Sequence, residues 1–393
     1  MNNFRLLIHH HAVAFQSPSK EIFVPSFIGR WVNALASQVG QIGLLLYQSD
    51  TIRPEQDEIV QANNVTLWSL GPPGKTWDRV ARINHLRKVC AKASQEADGL
   101  LVRGVTPRQM DVWNSTTLQN KAFLLVGSLK QTKPVLNPTF WGLYGFLIWY
   151  WRLIEVMRMT RQGVVIANSP YLVSELAQFN RHSSFVPTNS IRLEEFPPFL
   201  VRKLSDPGRI LFCGRVVAEK GIVELIQAVA KLNQLQPCVL DIVGPFEPRF
   251  RMMIETLSGE LGIFESIHWH GRIPYGDALF AMYRQADVFI LPTYFEGFPH
   301  VIWEAAANCC PVITTRVGGI PAIWKDSLHG LLVSPKDADA LFEAVLKLFN
   351  DEDLRCRLIK NGYDYAREFS VEACATRLID TLYENGWGKD VVE

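Results

Sequence analysis

Short apolar, β-branched runs alternate along the whole chain with longer stretches whose apolar residues recur at helical spacing. The first series of strands is expected at Leu6–Ile8, Gly43–Tyr47, Val65–Leu70, Leu100–Val102, Phe123–Val126 and Val164–Ala167. The rhythm restarts after residue 207 with Arg209–Cys213, Val239–Val243, Ile267–His270, Val288–Leu291, Val312–Thr315 and Leu331–Val333. Strands separated by helices make parallel sheets, so the pattern predicts two doubly wound α/β, Rossmann-like domains. Between them VPTNSIRLEEFPPFLVRKLSDPG has little periodicity and is punctuated by Pro197, Pro198 and Pro207, which predicts a hinge over 196–207. The expected division is a first domain over 1–195, a second over 208–369, and a last helix over 370–393 that packs back on the first domain. That helix has Ser370 as N-cap and Ala373, Leu378, Ile379 and Leu382 on its apolar side. Open α/β sheets bind ligands at the carboxyl ends of their strands, so two such domains are expected to face each other across an interdomain cleft that holds the site.

Composition agrees with this picture and adds one feature. With 393 residues, 48% hydrophobic and 20% charged, the chain is long enough for two cores and excludes a disordered or fibrous protein. The net charge of +1 conceals an asymmetry: up to residue 203 there are 22 Lys and Arg against 13 Asp and Glu, and afterwards 18 against 26. A basic half beside an acidic one suits a protein that meets an anionic partner with its first domain, although two ordinary solvated surfaces give the same count. Seven scattered cysteines without a C-x-x-C pair argue against disulfides or structural zinc. The start MNNFRLLIHHHAVAF reads as a first strand rather than a signal peptide, and a cytoplasmic chain is expected. Phe140–Trp151 is an apolar, tryptophan-rich run of 12 residues, short of the roughly 20 that span a bilayer. It fits either a buried helix or an amphipathic edge that lies in the interface of an anionic membrane, with Arg152, Arg158 and Arg161 beside it.

Two constellations carry chemistry. In LFCGRVVAEKG, residues 211–221, a strand leads to Gly214, then Arg215 and Lys220, then Gly221 at a helix start. Free backbone N–H groups, a guanidinium and an ammonium together suit a diphosphate. In FILPTYFEGFPHVIWEAAANCC, residues 289–310, Glu296 follows a strand and Glu304 lies on the helix that Pro299 opens. Paired carboxylates accept from vicinal hydroxyls of a sugar or ribose, with Gly297 permitting close backbone approach. The same two carboxylates also fit a glycosidase, for which the Arg–Lys loop has no purpose.

The motifs G-R-x-x-x-x-K-G at 214–221, P-x-x-x-E-G-F-P at 292–299, E-x₇-E at 296–304 and G-G-I-P at 318–321 resemble the signature of retaining GT-B glycosyltransferases of family 4. The resemblance covers about residues 208–370 and continues upstream in VIANSPYLVSELAQF. It implies a retaining glycosyltransferase with a nucleoside-diphosphate sugar as donor, a glycan or lipid-linked acceptor, no metal or other cofactor, and no nucleic acid partner. By the same resemblance Arg215 and Lys220 meet the diphosphate, Glu296 holds hydroxyls of the transferred sugar, and Glu304 holds the ribose. The main chain of Gly214, Gly297, Phe298 and Pro299 faces sugar and phosphate, and Arg272 and Ile273 border the base. Gly29 resembles a reduced form of the glycine loop after the family's first strand. Where many members carry a histidine after the fourth strand, GLLVRGVTPRQMD offers Arg103 and Thr106 as acceptor-side residues. That departure leaves a non-catalytic nucleotide-sugar-binding subunit as an alternative.

Three look-alikes carry little. SLGPPGKT at 69–76 nearly spells a phosphate loop, but Pro72 and Pro73 remove N–H donors that such a loop needs. The Asp337–Asp339 and Asp351–Asp353 clusters precede helical patterns and read as helix caps. His9 and His11 share one face of a strand without a third metal ligand, which suggests packing or a ligand edge.

Overall fold

The computed structural model describes residues 3–53, 56, 58–74, 78, 81–104, 108–127, 140–179 and 182–388. The chain divides into two compact units, Met1–Ser190 with Val371–Glu393, and Ile191–Ser370.

The first unit is built on strands β1 (Arg5–Gln16), β2 (Ile22–Val24), β3 (Gln41–Ser49), β4 (Glu58–Ile59), β5 (Val65–Ser69), β6 (Gly99–Arg103), β7 (Asn120–Leu125), β8 (Val164–Ala167) and β9 (Ser183–Phe185). The parallel part runs β5-β3-β1-β6-β7-β8-β9. This is the doubly wound order, in which the winding reverses between β1 and β6. β1 is longer than its apolar start predicts, and its far end takes β2 antiparallel, with Phe15 opposite Phe23. Buried side chains cover both faces, as a fully covered parallel sheet requires. His9 is part of this packing: it hydrogen-bonds through Nδ1 to the Leu45 carbonyl at 3.0 Å, and burial pulls it down to about 4, so it is neutral near pH 7.

Helix Val371–Glu384 belongs to this unit and buries Val371, Cys374, Ala375, Leu378, Ile379 and Leu382 against helix Ser26–Ala36 and the sheet. Ala373, expected on the apolar side, is only half-buried, because the buried stripe runs through Cys374 and Ala375 instead. Trp387 extends the same packing, its ring 5.7 Å from that of Phe4.

The second unit holds β10 (Gly208–Cys213), β11 (Cys238–Val243), β12 (Ile267–Gly271), β13 (Val288–Leu291), β14 (Val312–Thr315) and β15 (Leu331–Val333), all parallel, in the order β12-β11-β10-β13-β14-β15. Here the reversal falls between β10 and β13. The helices explain themselves in the sequence: Ile222–Asn233 buries Ile222, Leu225, Ile226, Val229 and Leu232, one stripe at helical spacing. Asp337 and Asp351 each accept a backbone N–H three residues on, from Ala340 at 2.8 Å and Leu354 at 2.9 Å, so both are helix caps.

The segment expected as a hinge is packed on this unit. Arg202 donates to the Ala286 carbonyl at 3.0 Å, the Ser205 N–H donates to the Asp287 carboxylate at 3.1 Å, and Tyr363 donates to the Pro197 carbonyl at 2.7 Å. The chain changes units at Ser190–Ile191 and again at Ser370–Val371, not along 196–207. Aperiodic sequence marks a segment without a helix or strand; it says nothing about whether side chains and main chain are tied down.

Candidate active site

The two motif loops meet because of the strand order. One follows β10 and the other follows β13, the neighbours on either side of the reversal, where the helices that flank the sheet lie on opposite faces and the loops part. After β10, Gly214 donates its N–H to Val243 at 2.9 Å, and a single 3₁₀ turn, Ala218–Lys220, leads to Gly221 at φ 70°. A Cβ at Gly221 would lie 2.0 Å from the Pro292 carbonyl oxygen, so only glycine lets this loop seat against the one after β13. The contact is sealed by the N–H of Tyr294, which donates to the Glu219 carbonyl at 2.8 Å. Tyr294 in turn donates its hydroxyl to Glu224 at 2.7 Å.

At the junction the Lys220 ammonium donates to the Glu296 carboxylate, 76 residues further on, and both side chains are largely buried. Arg215, in the same loop, is exposed, and its side chain makes no hydrogen bond or ion pair with the described residues. The loop Glu296–Pro299 is held from the other side by the G-G-I-P turn: Gly319 donates its N–H to the Glu296 carbonyl at 2.8 Å, and a Cβ at Gly318 would lie 2.1 Å from that oxygen. Phe298 turns its ring inward, stacked on Trp303 at 5.5 Å, which leaves its main chain as the part available to a ligand. Pro299 stands at the N-cap of helix His300–Ala307.

Glu304 lies on that helix, 6% exposed, and accepts a hydrogen bond from Tyr283 at 2.8 Å. Cys213, at the end of β10, completes the group; burial, helped by Glu304, pushes its thiol up to about 12, so it stays protonated. Tyr283 is likewise raised well above its ordinary value, first by burial and then by Cys213 and Glu304. Tyr283 is a residue that pattern reasoning passes over, because Leu279, Phe280 and Tyr283 form an ordinary buried helix stripe. On the other flank, Arg272 is exposed and Ile273 half-buried, directly after Gly271. The Gly271 carbonyl accepts from Gly244 at 2.7 Å, and a Cβ at Gly244 would meet the Gly214 carbonyl oxygen at 1.8 Å. Three successive strand ends are therefore stitched into one edge with Arg215 and Arg272 as its free cations.

The remaining candidates lie in the first unit. Gly29 sits inside helix Ser26–Ala36 rather than in a loop after β1; a Cβ there would lie 2.5 Å from Glu58, so its smallness serves the packing of that helix on β4. Arg103 ends β6 and is buried beneath Phe27 and Trp31. Thr106, and Lys75 and Thr76 of the phosphate-loop look-alike, lie outside the described residues.

This architecture is that of the GT-B glycosyltransferases. The solved structures it resembles include a sucrose-phosphate synthase from Thermosynechococcus elongatus (TM-score 0.72, 21% identity, 98% of this chain and 99% of that one) and Anabaena HepE in complex with UDP and glucose (TM-score 0.69, 15% identity, 97% and 100%). Residues 199–365 match the family described as Glycosyl transferases group 1, so the second unit carries a domain of that family. Among curated proteins, a D-inositol 3-phosphate glycosyltransferase of Corynebacterium efficiens is 35% identical over 179 residues, 44% of this chain and 42% of that protein. An uncharacterized glycosyltransferase of Methanocaldococcus jannaschii is 33% identical over 157 residues, 40% of each. The chain thus spans less than half the length of these two relatives.

Proposed function

We propose that the protein is a metal-independent glycosyltransferase that moves a sugar from a nucleoside-diphosphate sugar to a hydroxyl of a glycan or lipid-linked acceptor, with retention at the anomeric carbon. The observation that carries this reading is the union of Lys220 with Glu296 beside the free Arg215, at the strand ends where the two halves of the second sheet part. When the bond from the anomeric carbon to the diphosphate breaks, the diphosphate keeps the electron pair, and cations fixed beforehand stabilise that charge more in the transition state than in the ground state. Glu296, which pairs with Lys220, is proposed to accept from hydroxyls of the sugar. The assay is transfer from a panel of nucleoside-diphosphate sugars in the presence of a chelator, with the anomeric configuration of the product read by NMR. Transfer with retention is expected; loss of activity on chelation that manganese restores would overturn the metal-free reading, and an inverted product the retaining one.

For Glu304 a ribose-binding role is proposed. Glu304→Ala is expected to weaken nucleoside-diphosphate binding about tenfold by calorimetry, the order of one lost charged hydrogen bond. Unchanged affinity would remove Glu304 from the donor site.

The acceptor is proposed to be reached from an anionic membrane surface, in polysaccharide, lipopolysaccharide or glycolipid synthesis. No helix among the described residues is long and apolar enough to cross a membrane. Helix Phe140–Gln162, however, leaves Leu147, Ile148, Tyr150 and Trp151 exposed, Trp151 to 60%, in the basic half of the chain. Apolar side chains with arginines nearby suit the headgroup region of a bilayer. Co-sedimentation with anionic vesicles is expected to weaken with salt and to fall several-fold in Trp151→Ser; equal binding to neutral vesicles would return this helix to an ordinary surface.

A further inference from the structure

The reversal point of the first sheet holds an unusual group. Register pairs His9 of β1 with Val102 of β6, so the next residues, His10 within β1 and Arg103 at the end of β6, are neighbours on the face towards helix Ser26–Ala36, whose Phe27 ring lies 5.8 Å from that of His10. Arg103 is 6% exposed. Its guanidinium lies 4.9 Å from the Trp31 ring and 5.6 Å from the Phe27 ring. Its Nε and Nη1 are buried and make no hydrogen bond, and no carboxylate among the described residues pairs with it. Two other arginines with little exposure also leave Nε without a hydrogen bond, but each has a partner: Arg30 lies 3.5 Å from Glu58 and Arg355 donates to the Leu348 carbonyl at 2.9 Å. Burial lowers Arg103 only to about 10, so it remains a cation at neutral pH. Stacking on aromatic faces returns part of the desolvation cost of a buried cation but supplies no hydrogen-bond acceptor.

Its neighbour adds a donor rather than an acceptor. His10 takes the Ala12 N–H on Nδ1 at 2.9 Å, so the neutral ring carries its proton on Nε2. Burial, then the charge of Arg103, holds His10 well below its ordinary value and keeps it neutral. The polar groups gathered here are N–H donors, one of them cationic, at the place where an open α/β sheet binds its ligand. Phe27, 43% exposed, forms the outer wall, so the guanidinium lies one ring's depth from solvent.

We propose that Arg103, with His10, forms an anion-binding site in the first unit that takes a phosphate or carboxylate group carried by the acceptor. Calling the ligand the acceptor rests on the glycosyl-transfer reading; the binding of an anion at Arg103 does not. An anion at the guanidinium would supply the acceptors that the protein withholds, and an uncharged acceptor would leave the cation buried and unpaired.

The test uses the full chain and three titrations followed by thermal shift and calorimetry: inorganic phosphate, glucuronate and glucose, each at matched ionic strength in chloride. Phosphate or glucuronate, whichever chemistry the acceptor carries, is expected to bind and raise the melting temperature, and glucose is not. Arg103→Met is expected to abolish that binding while the ligand-free melting temperature stays the same or rises, because an unpaired charge has been removed. Arg103→Lys is expected to bind at least tenfold more weakly, since an ammonium lacks the planar fork. The proposal is overturned if neither anion binds better than chloride, or if Arg103→Met binds as the natural chain does. A lower ligand-free melting temperature in both variants, with anion binding retained in Arg103→Lys, also overturns it by making Arg103 a packing residue. Nucleoside diphosphates are titrated into the natural chain and Arg103→Met. If they bind neither, the glycosyl-transfer reading falls while the anion site stands; if they bind both equally, any loss of anion binding belongs to Arg103.

Discussion

Replacing Lys220 with Ala is expected to lower turnover by about 10²-fold or more, while the melting temperature moves by only a few degrees. The side chain sits where two loops meet and is held by Glu296, so its charge needs no reorganisation when the leaving diphosphate develops its own. The stability effect stays small because the Glu296 side chain, 22% exposed, keeps contact with water when its partner is removed, and the Tyr294–Glu219 main-chain hydrogen bond still joins the two loops. Arg215→Ala is expected to lose a similar amount of turnover with no cost in stability, because Arg215 is exposed and has no partner in the described structure to leave behind. Steady-state kinetics beside thermal melts check both. Near-normal turnover in either variant would take that cation out of the reaction.

Gly318→Ala is expected to damage structure and activity together. Gly318 has φ 53°, where an alanine is strained by roughly 1 kcal/mol or more, and its new methyl would lie 2.1 Å from the Glu296 carbonyl oxygen. That neighbour is backbone, so the loop holding Glu296 has to shift by about an ångström to restore ordinary contact, a displacement that can cost 10²-fold in rate. A loss of roughly 2–4 kcal/mol follows from strain plus the disturbed Gly319–Glu296 hydrogen bond. The control is Gly259→Ala: this glycine is in helix Pro248–Glu260 with open space where a Cβ would go. There the substitution is expected to be neutral or to stabilise by about 0.5–1 kcal/mol. Chemical denaturation of the two variants separates a position set by crowding from one that is not.

The residues at the strand ends of the second sheet were legible as types and spacings: a glycine, two cations and a glycine after one strand, a carboxylate and a glycine after another. What their spacing did not contain was the closeness of Lys220 to Glu296, or the support that Tyr283 gives Glu304. Gly29 shows the opposite failure. A glycine shortly after a first strand suggests a ligand loop, yet Glu58, from a two-residue strand too short to stand out in the sequence, fills the space above it. The aperiodic stretch 196–207 likewise reads as a hinge because its hydrogen bonds go to partners such as Ala286, Asp287 and Tyr363, far along the chain.

By itself the sequence determined the two series of parallel strands, the helices between them and the residue types at the strand ends, because apolar period and turn chemistry act over a few residues. Only the tertiary structure decided which strand ends are neighbours. Placing β13 beside β10 joins Lys220 to Glu296, and placing β6 beside β1 buries Arg103 with His10 and without a counter-charge among the described residues. Strand order is set by how whole helices pack on both faces of a sheet, and the charge environment of a side chain is the sum over everything that packing brings near, neither of which a local pattern contains.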